Sequence, residues 1–294
     1  MLNFFSHLKR KTPRLGIIGA PLPPNYIHHL QIKDYLETEY DKNTNILVIG
    51  EKGCFGRTWR HGPIHFELYV SDKDPIIAPA PYFRILLWQP ITKLKIPNKW
   101  HRLWFSTEIS RQIGFAHITN HYYWKTWTKN AQRDRAIWLN NKEFEIITSD
   151  YATFLKEYPS EGIYKTIRRI VLNILKNKMD RFGPSIHFFA AQHKTDKKIG
   201  AMVALIEFSN PRKAFYLSAF VKPEWQQSLC STGLIDHCFS FCLNNNIEFL
   251  DFGSFWAPES PSSWKGFSRF KQKFGVTLLR YPPMLWRFVK IRSN

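Results

Sequence analysis

The sequence predicts an α/β fold of the α+β type, in two domains whose mixed, mostly antiparallel sheets are flanked by helices. Three observations carry this. The chain has 294 residues, and at about 100–200 residues per domain that accommodates two modest domains. Hydrophobic residues make up 44% and aromatic residues 16%, enough to build cores and to exclude an intrinsically disordered chain. After residue 150 the pattern reads helix, helix, three strands, helix, strand, strand. That order gives a mostly antiparallel sheet whose last strands pair across a helical crossover.

The elements follow in chain order. The first half is broken by APLPPNY, WRHGPIH and DPIIAPAPYF. Between these breaks lie a helix candidate over 28–40 and strand candidates at NILVIG (45–50) and YFRILLW (82–88). A basic loop, KLKIPNKWHR, leads to a helix candidate at KNAQRDRAIWLNN (129–141). Asp150 then suits the N-cap of a short helix that ends near Pro159. Ile163, Ile167, Ile170, Val171, Ile174 and Leu175 recur at helical spacing and predict an amphipathic helix over 161–180. Strands are expected at 186–193, 198–208 and 214–221, a helix at LIDHCFSFCLNN, and strands at FLDFGS (249–254) and TLLRYP (277–282). The expected domain boundary lies near residue 150: 1–150 first, 151–282 second, with a C-terminal segment 283–294.

Charge narrows the partners. The net charge is +19, and no acid follows Glu259. Such a surplus suits nucleic acid, an anionic membrane surface or a phosphate-bearing substrate. An AT-biased genome explains part of the total but explains the one-sided tail less well. The four cysteines, Cys54, Cys230, Cys238 and Cys242, form no CxxC pair. They read as small buried hydrophobes in a reducing compartment. The start, MLNFFSHLKRKTPR, has an apolar patch before its cations, the reverse of a secretory signal. No apolar run reaches spanning length. The expected location is cytoplasmic, with peripheral contact to the inner face of the cell membrane through basic residues.

Most chemical motifs are absent or weak. GEKGCFG lacks the lysine and hydroxyl of a phosphate loop. His61 and His65 have no cysteine or acid cluster to complete a zinc site, so no metal is expected. Three segments remain. WRHGPI (59–64) sets two potential cations beside a Gly-Pro turn. LDFGS (250–254) places an acid and a glycine at a strand end, where α/β folds often hold reactive groups. GFSRFKQKFG (266–275) alternates rings with cations. Composition alone leaves it as a nucleic-acid contact, an amphipathic turn or part of a reaction site.

In order along the chain, HHLQIKDY (28–35), WRHGPI, YFRILLWQPI (82–91), IGFAHI (113–118), NAQRDRAIW (130–138), LDFGS and FSRFKQKFG (267–275) resemble the signatures of the FemABX family. These are non-ribosomal peptidyltransferases that build peptidoglycan bridges. Much of the set is shared with GNAT-like N-acyltransferases of the BioF2 type. The resemblance covers roughly residues 28–276 and implies two tandem GNAT-like domains, with the C-terminal segment packing back on the first. It implies an enzyme that transfers an aminoacyl group from aminoacyl-tRNA to an amine of a peptidoglycan precursor, lipid-linked or nucleotide-linked, with no cofactor. Lys271 matches the lysine of the family's Phe-Lys signature and Phe270 its phenylalanine. These two are the expected catalytic residues, Phe270 as a wall of the acyl pocket or a stacking surface. Arg60, His61, Asp251 and Arg269 are expected to bind substrate, Asp251 by orienting the acceptor amine.

The sequence departs from these patterns in places. His61 stands where arginine is usual, and Ser254 replaces a second glycine. QQSLCSTG (226–233) does not space glycines as a CoA pyrophosphate loop does. That disfavours the first alternative, transfer from acyl-CoA or an acyl carrier. The second alternative is a non-catalytic RNA- or membrane-binding module.

Overall fold

The computed structural model describes residues 13–18, 20–27, 32, 35, 45–48, 55–77, 82–93, 95–103, 112–209 and 212–289. The expected helix at 28–40, most of GEKGCFG and Cys54 lie outside these residues, apart from Ile32 and Tyr35 in the helix.

The first strands are β1 (Ile17–Ile18), β2 (Asn45–Val48), β3 (Phe55–His61), β4 (Ile64–Ser71), β5 (Arg84–Pro90), β6 (His101–Arg102) and β7 (Gln112–His117). Then come α1 (Lys129–Leu139), β8 (Phe144–Ser149), α2 (Tyr151–Glu157), α3 (Gly162–Phe182), β9 (Ile186–His193), β10 (Ile199–Phe208) and β11 (Lys213–Val221). The chain continues with α4 (Cys230–Asn244), β12 (Phe249–Ser254), α5 (Lys265–Lys271), β13 (Thr277–Arg280) and β14 (Leu285–Val289).

These strands form an eight-stranded sheet, β1-β13-β7-β12-β11-β10-β9-β8, and a six-stranded sheet, β2-β3-β4-β5-β14-β6. Both are mixed and mostly antiparallel. The parallel pairs are β1 with β13, β11 with β12, and β4 with β5. The expected fold class therefore holds. Sheet membership does not follow chain order, however. β7 and β8 precede residue 150, yet both lie in the larger sheet with β9–β13. β14 lies in the smaller sheet, hydrogen-bonded to β5 on one side and β6 on the other.

Local chemistry explains the helix starts. Thr128 caps α1 by accepting the Ala131 N–H, and the Asp150 carboxylate caps α2 by accepting the Thr153 N–H at 2.7 Å. The larger sheet is covered on both faces. Met202, Ala204 and Ile206 pack with Phe154, Tyr158 and Leu175 on one side. Ala201, Val203 and Leu205 pack with Leu234, Ile235 and Phe239 of α4 on the other. Burial on both faces explains why β10 is almost wholly apolar rather than alternating. The smaller sheet has its own cluster of Tyr69, Leu86, Trp88, Trp100 and Leu285. Beside it, buried Arg84 donates to Glu67 at 2.8 Å.

Gly233, which fits no phosphate-loop spacing, has a packing role. A Cβ there would lie 2.0 Å from the Trp138 ring, so the glycine lets α1 seat on α4. No helix among the described residues is long and apolar enough to cross a membrane. The described cysteines, Cys230, Cys238 and Cys242, are buried and unbridged.

Candidate active site

The site forms where two parallel strands separate. β11 and β12 pair only over Lys213–Phe215 with Phe249–Asp251. α4 crosses between them, and beyond Phe215 the two strands run on unpaired with each other. Gaps at the carboxyl ends of parallel strands are where α/β sheets commonly take ligands.

On the β12 side the backbone is bent. Register with β7 shifts between Asp251 and Ser254, and Gly253 sits at φ 67°. The Asp251 carboxylate fixes this bend by accepting the Gly253 N–H at 2.8 Å. The bend leaves the Phe252 carbonyl free of the β7 ladder, and the Lys271 ammonium donates to it at 2.6 Å. Lys271 Nζ also lies 5.2 Å from the Phe267 ring centroid, 5.5 Å from Tyr216 and 5.6 Å from Phe255. A cation amid aromatic faces is held by the ring quadrupoles. Burial pulls the Lys271 pKa down to about 8, and the charge of Asp251 opposes part of that shift. The ammonium is thus the main form at neutral pH, with a neutral amine within easy reach.

Helix α5 presents two faces. Phe267 and Lys271, four apart, face the site. Phe270 and Phe274, also four apart, meet edge to face at 5.0 Å on the core side, where Phe274 is fully buried. The buried Ser268 hydroxyl accepts the Trp256 N–H at 2.6 Å and pins α5 to the segment after β12. The turn after α5 needs glycine. Gly275 has φ 65°, and a Cβ there would lie 2.1 Å from Thr126 Oγ1. Thr128 N–H donates to Lys273 O at 2.8 Å and completes this junction.

The other expected site residues are placed differently. Asp251 has no exposed surface. One of its oxygens accepts from Tyr26 Oη at 2.9 Å and from Lys213 Nζ at 3.1 Å, while the other holds the Gly253 N–H. It therefore orients backbone and Lys213 rather than presenting a surface to an acceptor amine. Phe270 is half-buried against the apolar cluster under α4. Arg269 is half-buried, and its Nε donates to the Lys265 carbonyl at 3.3 Å. Arg60 sits in the β3–β4 hairpin of the smaller sheet, exposed, with Nε donating to Gly62 O at 2.7 Å. His61 ends β3 in the same hairpin. Among the described residues no hydrogen bond or ion pair joins this hairpin to Lys271.

The rings around Lys271 were missed in the sequence. Phe267 had a usable signal, since it lies one helical turn before the lysine. Tyr216 and Phe255 had none, because they reach the ammonium through tertiary packing. Among the described residues no cluster of His, Cys, Asp and Glu is arranged to hold a metal ion.

Comparison with solved structures gives the fold its context. A structure of FemX superposes with a TM-score of 0.64 at 12% identity, covering 88% of this chain and 92% of that one. The chain has a FemX-like fold. At 12% identity this is a likeness of fold, and it agrees with the FemABX resemblance. A conserved protein of unknown function from Bacteroides thetaiotaomicron superposes with a TM-score of 0.51 at 8% identity, over 84% of this chain and 86% of that one. L-PGS from Bacillus licheniformis gives a TM-score of 0.48 at 8% identity, over 86% and 85% of the two chains. No family model matches the sequence, and no curated protein does.

Proposed function

We propose that this protein is an aminoacyltransferase that moves an amino acid from aminoacyl-tRNA to an amine of a peptidoglycan precursor, in the synthesis of cell-wall bridges. The observation that carries the reading is the placement of Lys271. Its ammonium is fixed by the Phe252 carbonyl and three rings at the gap between β11 and β12. This is the lysine that matches the Phe-Lys signature, in a chain with a FemX-like fold.

The reaction needs a neutral amine to attack an ester carbonyl. The C–N bond forms, the C–O bond to the ribose breaks, and the ribose oxygen leaves with a proton. Negative charge gathers first on the carbonyl oxygen and then on the leaving oxygen. A preorganised cation beside both oxygens lowers the barrier, and losing such a donor costs on the order of 100- to 1000-fold in rate. With a pKa of about 8, the Lys271 ammonium can stabilise the oxyanion and give its proton to the leaving ribose oxygen, and the neutral amine so formed takes up the proton that the attacking nitrogen sheds as the amide forms. Phe267, Tyr216 and Phe255 narrow the space and keep water from the ester. Asp251 and Gly253 hold the carbonyl that aims the lysine.

The exposed Arg60 and its neighbour His61 would meet the diphosphate of the acceptor, lipid-linked or nucleotide-linked, for which a guanidinium is well shaped. A lipid-linked acceptor would bring the basic protein to the inner face of the cytoplasmic membrane. No cofactor is required by this chemistry.

The test offers aminoacyl-tRNA and acyl-CoA separately with peptidoglycan precursors and reads the products by mass spectrometry. The precursor should gain the mass of an amino-acid residue from the tRNA donor alone. Transfer from acyl-CoA and none from tRNA would overturn the proposal in favour of N-acyl transfer. Transfer from neither would leave a binding module.

A further inference from the structure

The chain's acids are unevenly spread. No Asp or Glu occurs before Asp34, between Glu108 and Asp134, or after Glu259. The fold brings these three acid-free stretches together. They supply β1, β13 and β7, which are consecutive neighbours at one edge of the eight-stranded sheet. They also supply α5 and the Tyr123–Lys129 segment, joined through Thr128 N–H to Lys273 O at 2.8 Å. Gln272 ties in the third stretch, donating to Arg14 O at 3.0 Å and accepting the Arg14 N–H at 2.9 Å.

Arg14, Lys125, Lys129 and Lys273 are thereby carried on hydrogen-bonded segments that adjoin the end of α5, the helix that carries Lys271. The first three are exposed and Lys273 is half-buried. Among the described residues no carboxylate pairs with any of the four. Lys125 lies 4.5 Å from the centroid of the exposed Tyr122 ring, so this surface also offers an aromatic face. We infer that this surface binds the phosphate backbone of an RNA, the acceptor arm of the tRNA donor. The inference rests on the proposed reaction, in which the ester facing Lys271 is joined to the RNA 3′ end. The strand leading from that ester must cross the neighbouring surface. Cations that no carboxylate among the described residues neutralises, beside an exposed ring, are the features that hold RNA without reading its sequence.

The experiment measures binding, without any transfer step. A fluorescent uncharged RNA hairpin with a single-stranded 3′ end is titrated with the full chain over a range of salt concentrations. The variants are K125E/K129E/K273E and a control of equal charge change at the opposite sheet edge, K142E/K156E/K194E. The first should bind at least about tenfold more weakly, with the slope of log K against log salt reduced by about 2, as expected for about three lost phosphate contacts. The control should change much less. If the reversed variant fails to fold, K125Q/K129Q/K273Q should show the same order of effects in milder form.

Equal weakening by both triples would overturn the inference, as would unchanged binding by the first. Binding to phosphatidylglycerol vesicles but not to the hairpin would assign this surface to a membrane and also overturn it. RNA binding of the expected pattern without any amino-acid transfer would keep this surface and refute the proposed reaction. Transfer with an unchanged KM for aminoacyl-tRNA in K125E/K129E/K273E would do the reverse.

Discussion

Lys271 and Asp251 divide the work of the site between a group that can meet substrate and a group that cannot. Lys271 is lowered to about 8 because burial penalises its charge, and Asp251 pulls the other way. If the ammonium is the working form, transfer falls as pH rises through about 8. Asp251→Asn removes the opposing charge, so the alkaline limb of the pH–rate profile should move to lower pH. Lys271 faces the Asp251 charge from β12 and the Tyr216 ring from β11. Of these, Asp251 is the group whose charge registers at the amine. An unmoved limb, with the rate reduced uniformly, would make Asp251 purely structural. Stability runs with its own sign. The unfolded lysine binds its proton up to about 10.4 and the folded one only to about 8, so this group adds stability as pH rises between those values.

At the scale of elements, the α5 turn is the most exacting piece of the site. Gly275→Ala would have to adopt φ 65° and would press on Thr126. It should destabilise the protein by at least about 1–3 kcal/mol in urea unfolding. Adding Thr126→Ala should restore part of that loss, because it removes the overlapping Oγ1 but not the strained φ. No recovery would mean that the backbone alone sets the cost. This scale also shows what the sequence disclosed. α2 was legible from its capping residue, α3 from helical spacing and α1 as a helix candidate after a basic loop, and β9–β12 from apolar runs bounded by turns. β7, β8 and β14 gave no comparable signal, being short and recognisable as strands only through their partners. The buried face of α5 was readable from Phe270 and Phe274, and the lysine from its signature. The cage was not, since Tyr216 lies on a strand far away in sequence. Nor was the enclosure of Asp251, which depends on Tyr26 from the N-terminal segment and Lys213 from β11.

For the whole molecule, the chain closes on itself. β14 lies inside the smaller sheet between β5 and β6, and Leu285 belongs to that sheet's buried cluster. Truncation after Pro283 should therefore disrupt the smaller sheet, giving early proteolysis of the 55–103 region and a lowered thermal midpoint. An unchanged proteolysis pattern would show that β14 is dispensable. The closure also places the acid-free tail beside the acid-free segments before Asp34 and Glu108–Asp134, so charge that looks diffuse in the sequence is concentrated in the fold.

The most direct test of the central claim is the single-turnover rate of amino-acid transfer from aminoacyl-tRNA to a peptidoglycan precursor, for the unaltered chain and for Lys271→Met. The account predicts a loss on the order of 100- to 1000-fold in the variant, with its affinity for the RNA hairpin little changed. Full transfer activity in Lys271→Met would contradict it.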